Sequence, residues 1–322
     1  MAWCPAFPRD RLHIESGLYL CRGRYMAFIR FFTFAMVLFG CVNAAAAQVT
    51  LRDDTGATVR LPKPASRIVS LAPHATENLF AAGAGDRLVG VVDYSDYPEA
   101  AKRIANVGDH SRPDLEAIVA LKPDLVIVWQ SGNAGSVVKR LQALGLPVFQ
   151  TQPDRLEDIP SNLEKLGRLA GSEAVANRVA ADFRQRLTAL RKQYSARPPV
   201  KVFYQAWHQP LLTVGGSQVI TEVIRLCGGE NVFGGLAAKA PSVSLEAVLS
   251  ANPEAIIASG MGYDTPIGLD DWRKWKQLQA VARGNLFHVP ADLMQRSTPR
   301  LLDGAEQLCR HLETARLRRS NQ

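Results

Sequence analysis

One pattern occurs twice in this chain, and it narrows the possible folds more than any other feature. Leu115-Glu-Ala-Ile-Val-Ala-Leu-Lys-Pro-Asp-Leu-Val-Ile127 is matched by Leu245-Glu-Ala-Val-Leu-Ser-Ala-Asn-Pro-Glu-Ala-Ile-Ile257. In each copy a capping residue, Asp114 or Ser244, precedes a short helix. A proline then stops the helix seven residues after the Glu, and a strand follows. A second echo precedes each copy: Thr76-Glu77 is followed by Gly83, and Thr221-Glu222 by Gly228, at the same offset. Two echoes in the same order predict two related lobes.

Around the echoes, short β-branched runs alternate with helical patterns. Residues 67–71, 88–92, 124–129 and 148–149 read as strands, with helices over 76–82, 115–121 and 137–144. Such alternation predicts parallel sheets covered on both faces. From Leu156 to Tyr194 there is one long charged amphipathic stretch, broken only by Pro160 and Gly171. Leu163, Leu166, Leu169, Val175, Val179, Phe183, Leu187 and Leu190 keep a helical period through it. Ala196-Arg-Pro-Pro199 ends the stretch, and alternation resumes at Lys201. The expected fold is α/β: two Rossmann-like lobes with parallel sheets joined by one long helix. The expected boundaries are 48–154 for the N-terminal lobe, 155–197 for the linking helix, 198–315 for the C-terminal lobe and 316–322 for a tail.

The first 47 residues stand outside this scheme. From Met26 an apolar run follows Arg30 and ends in Ala44-Ala45-Ala46-Ala47. A positive start, a short apolar core and an A-x-A site make a secretory signal peptide, with cleavage expected after Ala47; the core is too short to span a membrane. Residues 1–25 hold four Arg and no apolar core, so Met26 is the better start. A lipoprotein anchored at Cys41 is the less favoured alternative, because Phe39 is bulky for a lipobox. Of five cysteines only Cys227 and Cys309 survive cleavage. They are a natural pair in an oxidising compartment, two buried free thiols being the alternative. Removing 47 of 322 residues leaves 275, enough for two modest lobes. The net charge of +8 falls to +5, because the leader carries five Arg, one Asp and one Glu. No Lys/Arg run interleaves with aromatics, so nucleic-acid binding is disfavoured.

Facing α/β lobes make a cleft, and ligands of such sheets bind beyond the carboxyl ends of the strands. The residues after the strands are therefore the candidates: His74, then Tyr94 and Tyr97, His110, Trp129, Trp207 with His208, and Asp292 with Arg296. A Val/Ile/Leu core needs few aromatic rings. Tyr94, Tyr97, Trp129 and Trp207 thus gather where a large, flat, partly apolar ligand would be gripped. Taken singly, each is more often a packed rim residue than a contact; the reading rests on their joint location. Trp129 and Tyr94 are expected to stack from one lobe, with Trp207 opposing them. The alternative is a metal-ion site built from His74, His110 and His208, serving a metallochaperone or metalloenzyme, although no His pair has short metal-site spacing. Other enzyme signals are poor. There is no G-x-S-x-G elbow and no P-loop, and Gly83-Ala-Gly85 lacks the third glycine of a dinucleotide site.

Four segments carry a resemblance: Arg67-Ile-Val-Ser-Leu-Ala-Pro-His-Ala-Thr-Glu77, Gly90-Val-Val-Asp-Tyr-Ser-Asp-Tyr-Pro98, Leu115 to Ile127, and Cys227-Gly-Gly-Glu-Asn-Val-Phe233. Together they resemble the iron-siderophore/cobalamin periplasmic binding proteins over roughly residues 65–312, the cobalamin-binding branch above all. The resemblance implies two lobes bridged by one long helix, and a cleft that changes little on binding. It implies a monomeric, non-catalytic periplasmic receptor without a cofactor of its own. The transported ligand would be cobalamin (vitamin B12), held by Tyr94, Trp129, Asp292 and Arg296. The partner would be an ABC permease with its ATPase in the inner membrane, docked through Glu116 and Glu246, one exposed carboxylate per lobe. A Cys227–Cys309 disulfide is implied too. The aromatic set departs from that branch: His110 stands in place of a Trp, Ala206 near an expected Phe with Trp207 beside it, and Ala240 in place of another Trp. A rebuilt aromatic box leaves a different corrinoid, haem or a ferric siderophore open as alternative metal complexes.

Overall fold

The computed structural model describes residues 48–259 and 268–319. The leader, with its cleavage site, Met26 and Cys41, lies outside the described residues. An antiparallel pair opens the described chain, β1 (Val49–Arg52) and β2 (Thr58–Leu61). The N-terminal lobe follows as β3 (Ile68–Ser70), α1 (Pro73–Ala81), β4 (Leu88–Val91), α2 (Leu115–Ala120), β5 (Leu125–Trp129), α3 (Gly135–Ala143) and β6 (Val148–Thr151). Two helices come next, α4 (Asp158–Ala170) and α5 (Glu173–Tyr194). The C-terminal lobe is β7 (Val200–Gln205), α6 (Val219–Leu226), β8 (Gly229–Asn231), α7 (Leu245–Ala251), β9 (Ala255–Ala258), α8 (Gln279–Ala282), β10 (Leu286–His288), α9 (Ala291–Met294) and α10 (Leu301–Arg319).

The two sheets have the same order, β4-β3-β5-β6 and β8-β7-β9-β10, and every pairing in them is parallel. The duplicated sequence is thus a duplicated lobe. The strands β5 and β9 are buried throughout apart from Trp129 at the carboxyl end of β5, as parallel strands covered on both faces must be, and they read as continuous apolar runs. The α2 and α7 units are built alike. Asp114 Oδ1 accepts the N–H groups of Glu116 and Ala117 at 3.0 Å, and Ser244 Oγ accepts that of Ala247 at 3.2 Å. Each helix ends on a left-handed residue, Lys122 (φ 49°) and Asn252 (φ 42°), with the proline directly after. The proline stop works through that turn: the residue before it leaves the helical region.

The stretch read as one helix over 155–197 folds as two. Pro160 does not break it. It lies in the first turn of α4, where no intrahelical partner awaits its missing N–H. Gly171 does, closing α4 in the left-handed conformation (φ 65°) before α5 begins. Both helices serve both lobes. Leu163, Leu166 and Leu169 of α4, with Ala176 and Ala180 of α5, lie in the N-terminal core. Ile159 of α4, with Phe183, Leu187, Leu190 and Tyr194 of α5, lies in the C-terminal core.

Residues 316–319, assigned to a tail in the sequence, are the last turn of α10. Arg316 donates to the carbonyls of Pro198, Cys227 and Gly228, and Arg319 pairs with Glu254. Their guanidinium groups cap loop carbonyls and a half-buried carboxylate, a need that composition alone does not reveal. Cys227, at the end of α6, is disulfide-bonded to Cys309 of α10. No helix among the described residues is long and apolar enough to cross a membrane.

Candidate ligand-binding cleft

In each sheet the strand order reverses direction beside the first strand, between β3 and β5 and between β7 and β9. Crevices form beyond the carboxyl ends of strands at such points. His74 sits there in the first turn of α1, and Trp129 ends β5. Their rings meet edge to face, with centroids 5.2 Å apart and planes at 84°. His110 leans over the same indole at 6.3 Å. The loop beneath is tied by Asn133: its Oδ1 accepts the Trp129 N–H at 2.7 Å, and its amide donates to the carbonyls of Leu71 and His110. The structure therefore assembles Trp129, His110 and His74 into one wall.

The two imidazoles differ. His110 is half-buried and its Nδ1 lies 3.4 Å from Asp109. His74 is buried, and its Nε2 has no hydrogen-bond partner. Burial, followed by the positive charge of Arg296, pushes its pKa down to about 4, so it is a neutral imidazole at neutral pH.

Tyr94 and Tyr97 follow β4. Tyr94 is 69% exposed and holds φ at 62°, a strained conformation for a bulky residue and one concentrated at functional sites. Tyr97 is turned to another use: the Arg300 guanidinium lies 3.6 Å from its ring centroid. The tyrosine loop is held from the opposite lobe by Arg296, which donates to the Tyr94 carbonyl at 3.2 Å and to Asp96 at 2.7 Å. Asp292 stands 3.4 Å from the same guanidinium. Arg296 is thus committed to protein groups at the lobe junction. Glu77 completes that junction: Arg300 grips its carboxylate with a fork at 2.8 and 2.9 Å, and Thr298 donates to it at 2.6 Å.

The repeat builds this junction twice. Glu222, the counterpart of Glu77, accepts the N–H of Leu156 at 2.9 Å, just past the last strand of the other lobe. Lys239, in the loop after β8, pairs with Asp154 at 2.6 Å, as Arg296 pairs with Asp96. None of Glu77, Asp96, Asp154, Lys239 and Arg300 was a candidate from sequence. The one available signal was the Thr-Glu echo, which placed Glu77 and Glu222 at equivalent positions.

In the C-terminal lobe Trp207 is half-buried, and its indole N–H donates to the Gln209 carbonyl at 2.8 Å. His208 pairs with Asp271 at 3.4 Å. The metal alternative therefore separates: His74 and His110 flank Trp129, while His208 is engaged elsewhere. Among the described residues no three His, Cys, Asp or Glu side chains gather as a metal site. Glu116 and Glu246 are exposed in the first turns of α2 and α7. A cavity of about 300 Å³ lies between α5 and α10, at Leu190, Tyr194 and Arg310, away from these strand ends.

The two-lobed parallel α/β fold has known counterparts. The periplasmic binding protein family model matches residues 68–293, taking in most of both lobes. This chain belongs to that family. It is 40% identical over 255 residues to a vitamin B12-binding protein of Vibrio cholerae serotype O1, covering 79% of this chain and 91% of the relative. The crystal structure of the periplasmic vitamin B12-binding protein BtuF of Vibrio cholerae superposes with a TM-score of 0.73 at 40% identity, over 79% of this chain and 98% of that one. A periplasmic heme-binding protein from Pseudomonas aeruginosa is similar at 26% identity and a TM-score of 0.68, over 76% and 91% of the two chains. The fold read from the sequence, two parallel α/β lobes, is the fold of these relatives.

Proposed function

We propose that this protein is a periplasmic receptor that holds cobalamin between its lobes and delivers it to an ABC importer. The observation that carries the reading is its kinship, across both lobes, with proteins named for vitamin B12 binding. The site is consistent with that ligand. Trp129 and the exposed Tyr94 offer aromatic faces to a large ring system, His110 supplies a polar edge, and Trp207 stands in the opposing lobe. Haem is the second reading. His110, an imidazole beside an aromatic plate, has the chemistry of a haem-iron ligand.

The proposed partner is a permease with its ATPase. Glu116 and Glu246 occupy equivalent exposed first turns, one per lobe. Charge-assisted pairing with arginines would orient the receptor and raise its on-rate. A carboxylate in a first turn also stabilises its helix by about 0.3–1 kcal/mol. One experiment tests receptor and docking together. Purified protein mixed with cyanocobalamin is expected to leave a gel-filtration column red, with the ligand's spectrum unaltered. The double variant Glu116→Ala, Glu246→Ala is expected to do the same, yet fail to drive uptake. Chemical conversion of the ligand would contradict the receptor reading. Normal uptake with the double variant would reduce both glutamates to helix starters.

A further inference from the structure

Trp129 owes its place to the residue three positions on. A Cβ added to Gly132 would fall 1.8 Å from Cε3, 2.3 Å from Cζ3 and 2.4 Å from Cδ2 of the Trp129 ring. Ordinary carbon contacts lie at about 3.5–4.0 Å, so ring and methyl group could not share the site. The glycine is not required by its backbone, because Gly132 is absent from the residues with left-handed φ. What it supplies is room.

The surrounding bonds decide which part would yield. The turn is closed by the Gly132 and Asn133 N–H groups, which donate to the Trp129 carbonyl at 3.2 and 2.9 Å. It is locked by the Asn133 side chain on the Trp129 N–H at 2.7 Å. A methyl group at position 132 removes none of these bonds. The indole has no comparable anchor: its described contacts are packing contacts, with the N-terminal core and with the rings of His74 at 5.2 Å and His110 at 6.3 Å. The ring is the part that moves.

We propose that Gly132 is a positioning residue for ligand binding: the space above its Cα seats the Trp129 plate at the place and tilt that grip the ligand. The inference rests on the reading of Trp129 as a ligand contact. A substituted residue 132 acts through the ring, which shifts by about 2 Å to restore normal contact distances.

The test uses Gly132→Ala, Trp129→Ala and the double variant. Each is titrated with cyanocobalamin, and each ligand-free protein is examined by near-ultraviolet circular dichroism and thermal unfolding. Gly132→Ala is expected to raise Kd about tenfold, the scale of a displaced aromatic anchor. It is expected to alter the spectral band lost in Trp129→Ala, and to keep a cooperative unfolding transition. In the Trp129→Ala background the same change is expected to alter Kd by less than about twofold, because a residue acting through the indole has no effect without it. An unaltered Trp129 band in Gly132→Ala overturns the inference whatever the ligand does. Equal losses in both backgrounds also overturn it, since residue 132 would then act independently of the ring. If wild type binds cyanocobalamin but neither single variant changes Kd, Trp129 is no contact and the inference falls with it, while the receptor reading stands. If wild type does not bind, the receptor reading itself has failed; a changed Trp129 band would then support the seating of the ring alone.

Discussion

His74 is a buried base held without its proton. Its pKa of about 4 lies below the ordinary 6.5, first because burial disfavours the imidazolium and then because Arg296 repels it. The unfolded chain therefore binds a proton between these values that the folded chain refuses, and stability falls as pH drops from about 6.5 toward 4. By linkage, about 2 kcal/mol attributable to this residue is lost between pH 7 and pH 4.5. Urea unfolding at the two pH values is expected to show that loss in wild type and not in His74→Gln; equal losses would mean His74 titrates normally. At this scale the sequence was partly readable. The ends of apolar runs marked Trp129, His110 and Tyr94, because a strand's end is visible as the end of its pattern. The commitment of Arg296 was not readable. Its partners Asp96 and Glu77 lie in the other lobe, some two hundred residues away in the chain. No local pattern encodes such a pairing.

Helix α6 and helix α10 are pinned by the bond between Cys227 and Cys309, which are separated by 82 residues. Closing so long a loop restricts the unfolded chain, and chain-entropy models give about 4 kcal/mol, commonly an upper figure. The paired variant Cys227→Ser, Cys309→Ser is expected to lose about 2–4 kcal/mol in denaturant unfolding under non-reducing conditions. A loss below about 0.5 kcal/mol, within the range of ordinary surface changes, would show that packing alone holds the two helices. Caps and stops made other elements legible from sequence. Asp114 and Ser244 start their helices through hydrogen bonds within three residues, and Pro123 and Pro253 end them by turning the residue before out of the helical region. The division between α4 and α5 was harder to read, since the apolar period continues on either side of Gly171. Only the left-handed turn at that glycine separates the helices. The last turn of α10 was missed for the opposite reason: its arginines resemble a solvated tail until the carbonyls of Pro198, Cys227 and Gly228 are brought to them.

The two lobes are joined by packing rather than by a flexible hinge. Both α4 and α5 contribute side chains to both cores, so a large closing rotation would shear one core or the other. The paired junctions, Glu77 with Arg300 and Lys239 with Asp154, tie the lobes again outside the helices. Ligand is thus expected to enter a largely preformed cleft. Small-angle scattering with and without cyanocobalamin is expected to show radii of gyration within about 1 Å of each other, as for pre-organised complexes; a contraction of several ångströms would show that the lobes close as separate bodies. The duplication made this architecture readable, because each half predicted the other. The ligand was less readable, since relatives of this fold include heme-binding proteins, and in the proposed site only a few rings, such as Trp129 and His110, would tell the two ligands apart. The central claim is cobalamin recognition on that wall. Its most direct test is calorimetric titration of wild type and Trp129→Ala with cyanocobalamin, and of wild type with hemin. The account predicts one cyanocobalamin per chain at about micromolar Kd or tighter, weakened by about 1–3 kcal/mol in Trp129→Ala, with hemin bound less tightly. Saturable hemin binding with no cyanocobalamin bound would contradict it.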